Sequence, residues 1–402
     1  MLSENTIENL VLPILRRQED INNYVLQKIA QRINEIGHLS MSDLHRLERL
    51  LKIGGDVKQI NMYLASQTQL QEKEIKGLIK DVARVGYLDA RPFYDYRMLS
   101  FIPFEKNIPL QRIVTSIANQ TGKEYVNLAQ SKSTGFLIRD MKHPGRLKFQ
   151  SIKDTYNSVI DEAIQANQQG LIDYNTAMRR TMQQLVDSGV RKMYWDSGYT
   201  QRLDTAVRRH ILDGVRAINQ GVQDETGRQF GADGKEITVH ANSAPDHEPV
   251  QGHQFTNEEY DRLQSQQSFT DTYGIKFQPI ERAIGTLNCR HFTYSIIIAH
   301  SKPRYSLKEL EKMKEENAKG YTDEKGKHYT MYECSQRQRE LETLIRKNKD
   351  GQIMAKESGD VNLARKYQTK VDAYIKKYKA FSNACGLSPR MSNCRVSGYK
   401  KI

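Results

Sequence analysis

The sequence predicts a mainly α fold: elongated helical regions carrying a small α+β module near residues 227–299. Three observations lead there. Apolar residues recur at helical spacing through most of the 402 residues, and the mean hydropathy of −0.70 requires those helices to expose much polar surface. The texture then changes after Gly227, where short β-type runs replace the helical pattern. Four regions follow: a helical region at 1–105, a central helical region at 106–226, the module at 227–299 and a basic helical region at 300–402.

In chain order, Ile21, Val25, Ile29, Ile33 and Ile36 form the apolar stripe of a helix that ends at Gly37. Ser42 caps a second helix through Leu44, Leu47, Leu50 and Leu51, stopped by Gly54 and Gly55. A third helix covers Glu72–Val85. Gly86–Pro109 holds three prolines and several aromatics and reads as an irregular connection or domain boundary. Helices resume at Leu110 and run, with breaks, to about Gln223. The strongest carries Leu203, Ala206, Val207, Ile211, Val215 and Ile218, with Asp204 in its first turn where the helix dipole favours an acid. His210 falls on its apolar side, the place of a packed, hydrogen-bonded histidine with no chemistry to perform.

Within the module, Asp233-Gly234 is a turn signal, Lys235–Val239 a strand leading to His240, and Val250–Phe255 a second short strand. Thr256 with Glu259 three residues on is a capping box that opens a helix to about Gln266. Gly274–Ile280 and Phe292–Ala299 supply further strands. Helix returns after Pro303, with one stripe at Cys334, Gln338, Leu341 and Ile345 and another at Tyr367, Val371, Tyr374, Ile375 and Tyr378. Lysines interleave with those tyrosines, but the helical period accounts for the aromatic spacing without a base-stacking platform.

Charge is unevenly placed. Lys and Arg number 61 against 48 Asp and Glu, a net +13, and from Val361 to Ile402 ten basic residues face the single acid Asp372, or +9. A basic end on a near-neutral body expects an anionic partner, nucleic acid or an acidic protein surface. Arg365, Lys366, Lys370, Lys376, Lys377 and Lys379 are the residues expected to meet DNA phosphates. The four cysteines are scattered, which is no disulfide framework and fits a reducing compartment such as the cytoplasm. The N-terminus lacks the pattern of a secretory signal, and the longest apolar run, Tyr294–Ala299, is too short to span a bilayer, so no membrane partner is expected. No Walker A loop, GxGxxG, HExxH or GxSxG occurs, and no enzymatic activity is expected.

One constellation has chemical potential. His240, His247, Cys289 and His291 are a tetrahedral zinc set by residue type. Cys289 and His291, spaced i, i+2, would share a face on a strand, and the Pro-containing loop between His240 and His247 could fold back towards them. Asp246 and Glu248 are near enough to orient an imidazole. The spacing matches no finger pattern, and hydrogen-bonded structural residues on a turn-rich module are the competing reading. A closed four-ligand site would be structural. An open one, with Glu248 as general base, would make the chain a zinc-dependent hydrolase or nuclease.

Three stretches together resemble the phage minor capsid family, a branch related to the phage Mu F-type head morphogenesis proteins. The first runs from Gly170 to Val215 and contains DSG at Asp187–Gly189, SGYT at Ser197–Thr200 and LDTAVRR at Leu203–Arg209. The second is VHANSAPDHEPVQGHQFT at Val239–Thr256, with NCRH at Asn288–His291 closing the module. The third is HYTMYECSQRQRELETLIRKNK at His328–Lys349, followed by the basic helix and CGLSPR at Cys385–Arg390. The resemblance covers most of the chain. It implies a structural virion protein, few in copy number, attached near the portal inside the head, with portal protein, scaffold or major capsid protein and packaged DNA as partners.

Overall fold

The computed structural model describes residues 4–38, 55–129, 133–140, 143, 145–169, 174–194, 196–240, 242–286, 289 and 291–402. The architecture is mainly helical with small antiparallel sheets. Two compact units divide the chain. Unit one comprises Met1–Val11, Glu74–Gly122 and Arg209–Arg337, and unit two comprises Leu12–Lys73, Lys123–Arg208 and Gln338–Ile402.

Unit two begins with most of α1 (Glu4–Gly37), and the expected stripe Ile21, Val25, Ile29, Ile33 and Ile36 is buried throughout. Pro13 lies inside this helix, near its first turns. The helix expected from Ser42 to Leu51 lies outside the described residues. The helix expected at Glu72–Val85 is part of a longer one, α2 (Gly55–Leu88). Arg32 of α1 donates through Nε and Nη2 to Asp56 Oδ2 in the first turn of α2 at 2.9 and 2.6 Å, so two charge-assisted bonds tie the two helix ends.

The central region is not purely helical, as the sequence suggested. Between α4 (Ile108–Ala129) and α7 (Leu203–Phe230) lie a four-stranded antiparallel sheet and two helices, α5 (Ile152–Gln169) and α6 (Tyr174–Ser188). The sheet order is β2-β1-β3-β4, from β1 (Thr134–Arg139), β2 (Leu147–Ser151), β3 (Arg191–Tyr194) and β4 (Tyr199–Arg202). Gly135 is required there: a Cβ at that position would lie 1.8 Å from the Gln150 carbonyl oxygen on β2.

The C-terminal helices are α10 (Met331–Glu357) and α11 (Val361–Ala384). In unit two, Leu341, Ile345 and Tyr378 form a core with Cys394, and the Tyr378 hydroxyl donates to Glu342 at 2.9 Å. Gly351 admits the ring of Tyr367, whose atoms would meet a Cβ at 2.4 Å. Asp360 caps α11 by accepting from Leu363 N at 2.9 Å, and Arg179 of α6 grips the same carboxylate.

In unit one, Gly86–Pro109 is a packed aromatic node rather than an irregular boundary. Pro92 starts the short helix α3 (Arg91–Tyr96), where its missing N–H costs nothing. Tyr87 stacks on Phe101 at 4.6 Å, Phe93 stacks on Phe230 at 4.9 Å, and the Tyr94 hydroxyl meets Gln229. The stripe of α7 is buried as expected, and His210, half-buried, bonds through Nε2 to Thr121 O at 2.8 Å.

The small module keeps the α+β character expected of it. The sheet β6-β5-β9 pairs β5 (Gly234–Ile237) with β6 (Gln254–Thr256) and β9 (Thr293–Ile296), all antiparallel. Gly234 therefore opens a strand instead of a turn, and the Asp233 carboxylate receives Ile298 N at 2.7 Å. The Thr256–Glu259 capping box is formed in both directions and starts α8 (Asn257–Gln264). A hairpin of β7 (Phe269–Thr270) and β8 (Lys276–Phe277) closes over a core of Ile237, Val250, Phe255, Leu263, Phe269 and Phe277. Beyond it, α9 (Leu307–Lys319) starts at a second capping box, Ser306 with Glu309, and β10 (Tyr321–Thr322) pairs with β11 (His328–Tyr329).

Unit two also buries a charge cluster. Arg346 lies 3.3 Å from Glu19 and 3.3 Å from Asp204, while Arg202 is 3.4 Å from Asp204 and 3.7 Å from Asp350. Burial pushes Glu19 up to about 8 and Asp350 to about 7, whereas Arg202 and Arg346 overcome burial at Asp204 and hold it near 2. A carboxyl raised in the folded state binds its proton more tightly there than in the unfolded chain. That contribution is complete below about pH 4 and is lost as pH rises through the folded value. Glu19→Gln, which cannot ionise, should therefore raise the melting temperature relative to wild type more at pH 9 than at pH 5.5. The expected difference is on the order of 1–2 kcal/mol, or a few degrees. Equal effects at both pH values would show that Glu19 is not held protonated.

Candidate metal centre

Two loops of the small module build the centre. After β5 the chain is kept against β9 by Thr238, whose N–H donates to Phe292 O while its hydroxyl receives Phe292 N, both at 2.9 Å. It then closes a helical turn. His247 N and Glu248 N both donate to Ala244 O, and Gln251 N donates to His247 O, which directs the His247 ring inward. The second loop precedes β9, where Cys289 N donates to Thr286 O at 2.9 Å. Cys289 and His291 thus lie outside any strand, contrary to the geometry their i, i+2 spacing suggested. Their side chains nevertheless converge.

His247, Cys289 and His291 are all buried, and one donor atom from each lies within 4.8 Å of the other two. Cys289 Sγ is 3.3 Å from His247 Nδ1 and 3.4 Å from His291 Nδ1. His240, the fourth residue singled out in the sequence, is outside that trio but packs its ring edge-on against His291, centroids 4.6 Å apart.

The far nitrogens have partners that the sequence did not mark. His247 Nε2 meets Arg282 O at 2.8 Å, and His291 Nε2 is 3.3 Å from Gln251 Oε1 and 3.5 Å from Ser243 Oγ. Asp246, expected to orient an imidazole, lies 3.5 Å from His247 Nε2 through Oδ2 and also grips Arg282 with contacts of 2.6 and 2.9 Å, which positions the carbonyl that receives His247. Glu248 accepts from Asn317 Nδ2 at 2.5 Å. It is turned to α9, so the hydrolase or nuclease reading, which needs it as general base, gains no support.

Burial alone would depress His247, yet the Cys289 sulfur, the Arg282 carbonyl and Asp246 hold it above the ordinary imidazole value. Burial raises the Cys289 thiol, but His247 and the backbone N–H groups of Gly285 and His291 bring it below its usual value. Burial, then His240, His247 and Arg282, drive His291 well down, and burial alone takes His240 to about 4. The trio is thus a set of soft and borderline donors kept out of water.

The six basic residues expected to meet DNA are elsewhere, in unit two. Arg365, Lys366, Lys370, Lys376, Lys377 and Lys379 are all exposed on α11, while Tyr367 and Tyr378 are buried on its opposite side.

The chain belongs to the phage minor capsid protein 2 family, whose profile matches residues 4–383. It is therefore a structural component of the phage head, and its place is the virion. No curated protein and no solved structure matches it. Among the described residues no helix is long and apolar enough to cross a membrane.

The Asp246–Arg282 pair makes a direct prediction. Asp246→Ala removes two charge-assisted bonds that fix the Arg282 carbonyl, so amide exchange in 242–251 should quicken about tenfold, or roughly 1.4 kcal/mol. Unchanged exchange in that segment, measured by mass spectrometry, would assign the loop's order to the hydrophobic core alone.

Proposed function

We propose that the protein is a non-enzymatic minor head component, attached near the portal inside the capsid, that touches packaged DNA without reading its sequence. The observation that carries this reading is the solvent face of α11. Lys366, Lys370 and Lys377 fall on one helical stripe and Arg365, Lys376 and Lys379 on a neighbouring one, all exposed over about 21 Å of axis. The acid on this helix, Asp372, is already engaged by Lys401 at 3.1 Å. Such a face neutralises phosphates and offers no fixed set of base contacts.

If three or four of these residues contact phosphates, log affinity for random duplexes should fall with log salt at a slope near −3. The full-length Lys366→Glu, Lys370→Glu, Lys377→Glu variant should flatten that slope by about two to three, with its melting temperature kept, because the side chains are exposed. Absence of binding at low salt, or an unaltered slope in the variant, would point to an acidic protein surface as the partner of α11.

For the contact with portal, scaffold or major capsid protein, family membership supports a docking role. The apolar stripe of α1 is already buried, so it is not the surface to test. Met98, 94% exposed on the segment between α3 and α4, and Ile108, 63% exposed at the start of α4, stand out, and the Tyr87 and Phe101 stack holds that segment in place. Met98→Asp with Ile108→Asp should reduce incorporation into procapsids several-fold at unchanged melting temperature. Normal incorporation would move the contact elsewhere.

A further inference from the structure

The donors of the small module converge in a way that their own protons do not satisfy. A carbonyl oxygen only accepts, so the contact of His247 Nε2 with Arg282 O at 2.8 Å makes that nitrogen the N–H. Gln251 Oε1 accepts the His240 backbone N–H at 2.9 Å, which identifies it as the amide oxygen, and its 3.3 Å contact makes His291 Nε2 an N–H as well. Neutral rings tied in this way each present an Nδ1 lone pair, and both lone pairs face the same sulfur at 3.3 and 3.4 Å. The thiol has one proton for two nitrogens. Without a cation the trio buries either a lone pair turned on sulfur or an imidazolium–thiolate pair, and both are costly away from water. The His291 backbone N–H also points at the sulfur, 3.4 Å away, as it would at a thiolate.

We propose that His247 Nδ1, Cys289 Sγ and His291 Nδ1 bind one zinc ion, which cross-links the loop at 242–251 to the segment preceding β9. A tetrahedral zinc with Zn–S of about 2.3 Å and Zn–N of about 2.0 Å separates sulfur from nitrogen by roughly 3.5 Å. The two separations found are 3.3 and 3.4 Å, so the ion fits with small adjustments of the rings. The Arg282 carbonyl and the Gln251 amide are the outer partners that fix the orientation of metal-bound imidazoles. Thiolate with imidazole selects zinc over magnesium or calcium, which take oxygen donors. The fourth corner falls to water or to His240, whose ring lies beside His291.

The test uses the full chain, purified untagged and without chelator, loaded with zinc chloride and dialysed. Elemental analysis should find about one zinc per chain, and cobalt(II) put in its place should give a thiolate-to-cobalt charge-transfer band. Cys289→Ser should lose both signals, while Cys334→Ser, which alters another buried thiol, keeps them. Should Cys289→Ser fail to fold, Gln251→Ala removes no ligand and should weaken zinc binding 10- to 100-fold. Wild-type protein that retains neither metal overturns the proposal, and so does a cobalt band that persists in Cys289→Ser.

Discussion

Arg346 of α10 reaches both Glu19 of α1 and Asp204 in the first turn of α7, so segments far apart in sequence meet around one guanidinium. Arg202 adds a second cation and Asp350 a third carboxyl, with Asn22 donating to Asp350 at 3.1 Å and accepting from Val190 N at 2.9 Å. Removing charges from water costs several kcal/mol per ion, so each must find a partner or a proton. Burial favours the protonated forms of Glu19 and Asp350, and Asp204 is the carboxylate left ionised beside the two guanidiniums. The outcome is geometric. The ionised Asp204 lies between two arginines, which ties the start of α7 to α10 within unit two.

The small module in unit one solves a related problem with polar bonds between distant loops, one of them an ion pair. Its strands are two to four residues long, too short to hold long loops by ladder bonds alone. The loops are instead secured by specific polar bonds: Thr238 with Phe292, Asp246 with Arg282, Asn317 with Glu248. Each joins residues at least 36 apart in sequence, and each takes a buried or half-buried polar group out of solvent with its partner in place.

Helices with one buried stripe were legible in the sequence, because spacing alone defines a face: Ile21 to Ile36 and Leu203 to Ile218 are buried as their periods required. Capping was legible for the same local reason, as Thr256 and Glu259 show. The sheet β1–β4 was not. Arg-Lys-Met-Tyr and Tyr-Thr-Gln-Arg are four-residue strands of long polar and aromatic side chains, half-buried along nearly their whole length, and no alternation betrays them. Their pairing comes from register, for example Lys192 opposite Gln201, which one strand's sequence does not encode. At the candidate centre the donor types were legible and the geometry was not. Cys289 and His291 meet without lying on a strand, and Arg282 acts through its backbone carbonyl, a role that no side-chain pattern reveals.

The C-terminal helix shows how one sequence pattern serves two surfaces. Tyrosines and lysines alternate closely in 366–379, and a linear reading leaves open whether the rings stack on bases or pack on protein. The helical period separates them: Tyr367 and Tyr378 turn inward, with hydroxyls bonded to Gln183 and Glu342, so their faces are unavailable for stacking. The cations are left outside, and Lys370 lies 5.5 Å from the Tyr367 ring centroid. A face of that kind attracts polyanions through charge and spacing alone. The contact with DNA proposed above rests on that property.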